Sequence, residues 1–306
     1  MSKRILFMGT PDYATKIFDE LIRSDYKVIG LFTQPDKPVG RKQLLTPPHI
    51  KQYCIDKNIE LPIFQPEKLR GNIEAKKQIE DLNPDFIIVA AYGQILPKEI
   101  LDIAPCINLH ASLLPKYRGA SPIQESLLND DKYTGVTSML MEEGLDSGDI
   151  LGLQYLEISP TMEVAEAFSK LSQIAAELTI TTLDNFEKIL PLKQNESQVS
   201  FCKKIKKEYG LVDFTSANTL YLKYKAYSYW PGVFLESGLK LKDINLQEKT
   251  SNNIEGEILE ITQDFIIIGC KIGSIMIKTI QTPSKKPVLA VDYIRGKRFK
   301  VGEILK

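Results

Sequence analysis

Residues 86–91, Phe-Ile-Ile-Val-Ala-Ala, carry no polar side chain, and turn-forming residues bound them on both sides (Asn83-Pro84-Asp85 and Tyr92-Gly93). The run is short for a helix and offers no face to water. It predicts a strand covered on both sides, which is the situation of a central strand in a parallel sheet. Arg4–Met8, Val28–Thr33, Ile107–His110 and Thr134–Met141 read as further strands. Between them, Asp12 offers a helix cap ahead of Ile17, Phe18, Leu21 and Ile22 at helical spacing, and Asn72–Leu82 reads as a helix closed by Asn83-Pro84. Strands alternating with helices predict an α/β fold with a doubly wound, Rossmann-like parallel sheet.

The texture changes in the last third. Residues 161–190 predict a long amphipathic helix, with Val164, Ala167, Phe168, Leu171 and Ile174 on one stripe. The polar stretch from Pro191 to Ser200 reads as a connection. Beyond it, residues 233–235, 256–259, 264–269 and 274–280 are β-rich runs separated by turn residues, with Gly269 to Gly273 placed to close a hairpin. The expected organisation is a first domain over 1–190, a linker over 191–208, and a small OB-like β-barrel over 209–306.

Charge follows the same division. Residues 1–200 hold 21 Lys and Arg against 28 Asp and Glu, a net of −7, whereas residues 201–306 hold 18 against 11, a net of +7. A basic segment on a chain of zero net charge points to an anionic partner. Four dispersed cysteines, Cys54, Cys106, Cys202 and Cys270, show no metal-ligand spacing and predict reduced thiols and no metal. No apolar run approaches the ~20 residues that span a bilayer, and the apolar stretch near the start is too short for a signal peptide, so a reducing cytoplasm is the expected compartment.

Ligands of such sheets sit beyond the carboxyl ends of the strands. Gly9-Thr10-Pro11, Tyr92-Gly93 and Asn108-Leu109-His110 all fall there. GxGxxG and GxxxxGK[ST] are both absent, which argues against a dehydrogenase and a P-loop enzyme. Of the two histidines, His49 beside Pro47-Pro48 reads as a surface or capping residue. His110 closes a strand two residues after Asn108, and positions i and i+2 of a strand share a face. An amide and an imidazole side by side suit acyl-type transfer, because both can donate to the oxyanion of a tetrahedral centre. A nearby carboxylate would favour the charged imidazole, and Asp146, in the glycine-flanked loop 142–149, could supply it. Ser112 lies outside any GxSxG elbow, so direct attack by a substrate amine is simpler than a covalent intermediate. On spacing alone, a structural role for Asn108 and His110 and a turn role for Asp146 stay open.

The string Cys106-Ile107-Asn108-Leu109-His110-Ala111-Ser112-Leu113-Leu114-Pro115-Lys116-Tyr117-Arg118-Gly119-Ala120-Ser121-Pro122-Ile123-Gln124 resembles the signature of the folate-dependent formyltransferases. Thr134-Gly135-Val136-Thr137 and Gly144-Leu145-Asp146-Ser147-Gly148-Asp149 resemble the family's second motif. The resemblance implies 10-formyltetrahydrofolate as co-substrate and Asn108, His110 and Asp146 as the catalytic trio. It also implies folate contacts along Ser112, Leu113, Leu114 and Pro115, and a pterin-pocket wall at Val89, Ala90, Ala91 and Tyr92. Phe7-Met8-Gly9-Thr10-Pro11-Asp12, the segment from Phe32 to Pro38, Gly40-Arg41, Phe64-Gln65-Pro66 and Tyr229-Trp230-Pro231-Gly232 are similar to the branch whose acceptor is methionyl initiator tRNA.

That branch implies a monomeric enzyme of translation initiation. In it the loop 34–48 meets the acceptor stem through Arg41, with Lys42 in a less well matched position. The tRNA backbone would lie on basic residues of the C-terminal part: Lys206, Lys207, Arg295 and Arg298, with Lys203, Lys204, Lys285, Lys286 and Lys297 beside them. An amino-sugar nucleotide as acceptor, or a non-catalytic RNA-binding module, are the competing readings.

Overall fold

The computed structural model describes residues 2–40 and 42–305. They form two compact units. The first comprises the chain up to Pro122 together with Tyr133–Glu157 and Phe168–Cys202, and the second comprises Ile123–Lys132, Ile158–Ala167 and the chain from Lys203 onward.

The first unit is built on β1 (Arg4–Gly9), α1 (Asp12–Arg23), β2 (Lys27–Phe32), β3 (Lys37–Val39), β4 (Leu44–Thr46), α2 (His49–Asp56), β5 (Ile63–Phe64), α3 (Ile73–Leu82), β6 (Phe86–Ala90), α4 (Lys98–Leu101), β7 (Cys106–His110) and β8 (Arg118–Gly119). After α5 (Pro122–Leu128), which belongs to the second unit beyond Pro122, the first unit continues with β9 (Tyr133–Leu140), β10 (Ile150–Glu157), the long α6 (Val164–Asn185) from Phe168 on, and β11 (Phe201–Cys202). The seven-stranded main sheet has the order β10-β9-β7-β6-β1-β2-β5. The apolar run is its centre: every residue of β6 is buried, and β6 pairs in parallel with β1 on one side and β7 on the other. Ile87 and Ile88 are wholly buried, and each fully buried side chain of this kind contributes about 1.5–3 kcal/mol.

Several local readings need correction. The sheet is parallel from β5 to β7 only, because β9 runs antiparallel to β7, and β10, for which no strand was expected, runs antiparallel to β9. The cap of α1 is Pro11, so Asp12 is the first helical residue and makes no side-chain cap bond. Its carboxylate still sits where the helix dipole favours a negative charge. Asn72 does cap α3, accepting from the Ala75 N–H. The loop 34–48 is not wholly irregular, since β3 and β4 pair as a short exposed hairpin. On α6, Phe168 lies on the exposed side rather than in the apolar stripe.

The second unit adds α7 (Ala217–Tyr227), β12 (Val233–Phe234), β13 (Lys240–Glu248), β14 (Ile258–Ile261), β15 (Ile266–Gly269), β16 (Ser274–Gln281), β17 (Val288–Leu289) and α8 (Ala290–Lys297). Its antiparallel sheet has the order β12-β13-β16-β15-β14, with β17 on β16. The hairpin foreseen at Gly269 to Gly273 joins β15 to β16, and the Cys270 N–H donates to the Gly273 carbonyl. Ser216 caps α7 by accepting from the Thr219 N–H. The isoleucines of β14, β15 and β16, including Ile258, Ile266, Ile268, Ile275, Ile277 and Ile280, fill one core with α7 and α8.

All four cysteines are free and buried. Burial pushes the Cys54 thiol up to about 11 and the Cys106 and Cys270 thiols up to about 12. Since the thiolate is the reactive form, the native protein at pH 8 is expected to leave these three unmodified by a thiol-specific alkylating reagent. All four should react once the chain is denatured. Rapid modification of Cys54, Cys106 or Cys270 in the native protein, read by mass spectrometry, would contradict this core assignment.

Candidate active site

Asn108 and His110 stand on one face of β7, as strand alternation requires, with Leu109 on the other. β7 ends next to β6, whose Val89 is in register with Asn108. Two of the three strand ends singled out by sequence, at Thr10 and Tyr92, are tied together by a hydrogen bond, and Gln34 joins them. Thr10 Oγ1 donates to the Tyr92 carbonyl at 3.0 Å, and Gln34 Nε2 donates to the same oxygen at 3.2 Å.

Asp146 reaches this rim by an indirect route. Because β9 runs antiparallel, its end at Leu140 is level with Ile107 rather than with His110. The loop after it must double back. Gly148 allows this, since a Cβ there would stand 1.7 Å from the Leu140 carbonyl oxygen. Asp146 itself takes a left-handed conformation with φ of 49°. Its carboxylate then meets three groups. Oδ1 accepts from Asn108 Nδ2 at 3.3 Å, Oδ2 accepts from the Gly119 N–H at 2.9 Å, and Oδ2 lies 3.7 Å from His110 Nδ1.

The other ring nitrogen fixes the imidazole. His110 Nε2 lies 2.9 Å from the Tyr117 carbonyl oxygen, which only accepts, so Nε2 carries a proton. Nδ1 faces the carboxylate beyond hydrogen-bond reach, which leaves it without a hydrogen bond to Asp146. His110 and Asp146 side chains are 6% and 14% exposed. At such burial a charge pair interacts more strongly than in bulk water.

The segment after β7 is set by Thr137, which is fully buried. Its Oγ1 donates to the Ser112 carbonyl at 2.6 Å and accepts from the Leu114 N–H at 3.0 Å. Ser112 spends its hydroxyl on the Lys116 carbonyl, and Leu114 packs with Met139 and Ile150, so these two side chains face protein. Leu113 and Pro115 are half-buried. Val89, Ala90 and Tyr92 are buried and Ala91 is exposed. The Tyr92 ring joins the core beside Leu96 and Ile100, and its hydroxyl has no partner there.

Arg41 lies outside the described residues. Lys42, Lys206, Lys207, Arg295 and Arg298 are exposed, as are Lys203, Lys204, Lys285, Lys286 and Lys297. At the base of the loop 34–48, Lys51 Nζ bonds both Asp36 oxygens at 2.9 Å, and Gln65 Nε2 bonds Asp36 Oδ1 at 2.7 Å. These hydrogen bonds hold the Asp36 carboxyl below its ordinary range. His49 is exposed and bonds Thr15 through Nδ1 at 2.9 Å, in keeping with a surface residue. Among the described residues, no group of three His, Cys, Asp or Glu is placed to hold a metal ion, and no helix is long and apolar enough to cross a membrane.

Comparison with known proteins gives the lineage. The formyl transferase profile matches residues 3–183, and the formyl transferase C-terminal domain profile matches residues 204–298. The chain belongs to the formyl transferase family. It is 57% identical over 300 residues to a methionyl-tRNA formyltransferase of a Nitratiruptor species, covering 98% of this chain and 99% of that one. It is 53% identical over 303 residues to the methionyl-tRNA formyltransferase of Campylobacter lari, covering 99% of both chains.

Solved structures share the fold at low identity. HypX from Aquifex aeolicus in complex with tetrahydrofolic acid superposes with a TM-score of 0.66 at 17% identity, over 96% of this chain and 47% of that one. This formyl transferase therefore spans about half the HypX chain. WlaRD, a sugar 3N-formyl transferase, superposes with a TM-score of 0.66 at 16% identity, over 94% of this chain and all of that one.

Sequence reasoning missed Arg118, Gly119 and Gln194. The first two lie inside the long motif without any feature that marks them out, and Gln194 lies in the stretch read as a linker. Gly119 has φ of 127°, and a Cβ on it would stand 2.1 Å from the Cys202 carbonyl oxygen. Gly119→Ala is therefore expected to destabilise the protein by about 1–3 kcal/mol. Denaturant unfolding measures this, and an unchanged midpoint would show that the site does not depend on that approach.

Proposed function

We propose that the protein transfers the formyl group of 10-formyltetrahydrofolate to the amino group of methionyl initiator tRNA, giving formylmethionyl-tRNA and tetrahydrofolate. The observation that carries the chemistry is the meeting of Asn108, His110 and Asp146 at the carboxyl end of β7. The acceptor follows from relatives that bear that activity in their names and are more than half identical over nearly the whole chain.

The amine nitrogen attacks the formyl carbon and the carbonyl becomes an oxyanion. The bond to N10 of the folate then breaks, N10 takes a proton and the attacking nitrogen gives one up. Asn108 has a second amide N–H beyond the one facing Asp146, and a proton on His110 Nδ1 can donate to the same oxygen. Losing one such donor costs about 3–4 kcal/mol in the barrier. Asp146 stands 3.7 Å from the ring and accepts from the Asn108 amide, so it orients both donors.

In this reading the folate lies along Val89, Ala90, Ala91 and Tyr92 and along Ser112, Leu113, Leu114 and Pro115, approached through the backbone where side chains are already engaged. Residues 1–190 carry the transfer chemistry, 191–208 connect, and 209–306 hold the tRNA backbone with Lys206, Lys207, Arg295 and Arg298. Arg41 and Lys42 meet the acceptor stem. The enzyme acts as a monomer in the cytoplasm.

Mass detection of formylated methionine on tRNA, run beside an amino-sugar nucleotide as acceptor, tests the reading. Label is expected on the tRNA alone, and formylation of the sugar alone would overturn it. His110→Ala is expected to cut turnover by more than about tenfold while tRNA affinity stays near wild type. Turnover above a tenth of wild type would remove His110 from the chemistry. Affinity for tRNA is expected to fall steeply from about 50 to about 200 mM salt as counterions are released, by about a thousandfold for six phosphate contacts. A flat profile would remove the backbone contacts.

A further inference from the structure

Gln194 is 9% exposed and uses its whole hydrogen-bonding capacity on the site. Its Nε2 donates to the Asp146 and Gly148 carbonyls, both at 2.8 Å. Its Oε1 accepts from Arg118 Nε at 3.0 Å and Nη2 at 2.8 Å. An amide can normally be turned end for end, but here only one orientation works. Two carbonyls can only accept, and a guanidinium can only donate. Arg118, 4% exposed, completes its own set with Glu196, Nη2 lying 2.7 Å from Oε1 and Nη1 3.4 Å from Oε2.

The backbone on either side of Gln194 is also anchored. Leu192 exchanges two hydrogen bonds with Ile150, at 2.8 and 2.9 Å, and β11 pairs with β8. Residues 118 and 119 therefore act on both ends of Asp146. The Gly119 N–H holds its carboxylate, and the Arg118 side chain holds its carbonyl through Gln194. Asp146 adopts a left-handed conformation that aspartate takes more readily than most residues other than glycine, and these hydrogen bonds hold it there.

We propose that Gln194, oriented by Arg118, is a positioning residue that fixes the Asp146 loop and so keeps the Asp146 carboxylate on Asn108 and His110. The proposal rests on the transfer chemistry of the preceding subsection. Gln194→Glu is the sharpest test, because it keeps shape and the acceptor for Arg118 but removes both donors to the loop. Gln194→Ala and Arg118→Lys, which lacks the two-pronged donor, accompany it. Each is assayed for formylation of methionyl initiator tRNA alone and in an Asp146→Ala background, with melting followed by circular dichroism.

The expected result is a fall in kcat of at least about tenfold, since a misplacement of about 1 Å can cost about a hundredfold. KM for both substrates should move by less than about threefold. In the Asp146→Ala background the same substitutions should cost almost nothing, because Gln194 acts through Asp146. A kcat for Gln194→Glu within about threefold of wild type, or an equal loss in both backgrounds, overturns the proposal. So does the failure of all three variants to fold, which would make the pair a folding element. If the wild type itself does not formylate the tRNA, the functional reading fails. If it does and the Gln194 variants match it, only the positioning role fails.

Discussion

One carboxylate holds the rim of the catalytic unit together. Asp146 meets the Asn108 amide, the Gly119 N–H and the edge of the His110 ring, and those groups come from strand β7 and the turn at β8. Nothing in local propensity brings it there. The strand before it runs the wrong way for its end to lie near His110, so the loop has to fold back over Leu140, and the closeness of that approach leaves no room for a Cβ at residue 148. A left-handed aspartate, a close-packed glycine and a saturated glutamine are the local means by which a mobile kind of segment is held in one geometry.

The arrangement suits transfer between an amine and an activated formyl group. No covalent intermediate is needed, so the protein has to orient two substrates and receive negative charge on one oxygen. Donors fixed before the reaction do this without reorganising when charge develops. His110 is held through Nε2 by a backbone carbonyl, which leaves Nδ1 as the nitrogen that the proposed chemistry uses. The neighbouring strand end at β6 is apolar and close, a surface on which a flat ring system can lie. The second unit contributes exposed lysines and arginines, the kind of surface that holds a phosphate backbone without reading sequence.

Much of this was legible in the amino-acid sequence, and the parts that were not have physical reasons. The buried run at 86–90 declared the central strand because both of its faces are covered. Asn108 and His110 could be paired because strand alternation is strict. Asp146 could be placed in the right loop, but the direction of β9 could not be read, since an eight-residue strand gives the same pattern in either direction. β13 was missed because its apolar residues do not alternate: the buried Leu241 and Ile244 are three apart, with exposed Asp243 in a left-handed conformation between them. Gln194 gave no signal at all. It sits among polar residues, and only the tertiary fold reveals that its amide is buried and fully bonded. Polar residues that act through a loop's backbone leave no periodicity to find.

The Asp146 carboxylate is the group on which the proposed transfer depends most. The most direct measurement is kcat for formylation of methionyl initiator tRNA by Asp146→Asn, with its melting temperature alongside. That change keeps an acceptor for the Gly119 N–H but removes the charge opposite His110. Removing the carboxylate of a carboxylate–imidazole pair costs up to about ten-thousandfold in a comparable site. A fall of at least about a hundredfold with the melting temperature unchanged is the predicted result. Turnover within about threefold of wild type would contradict it.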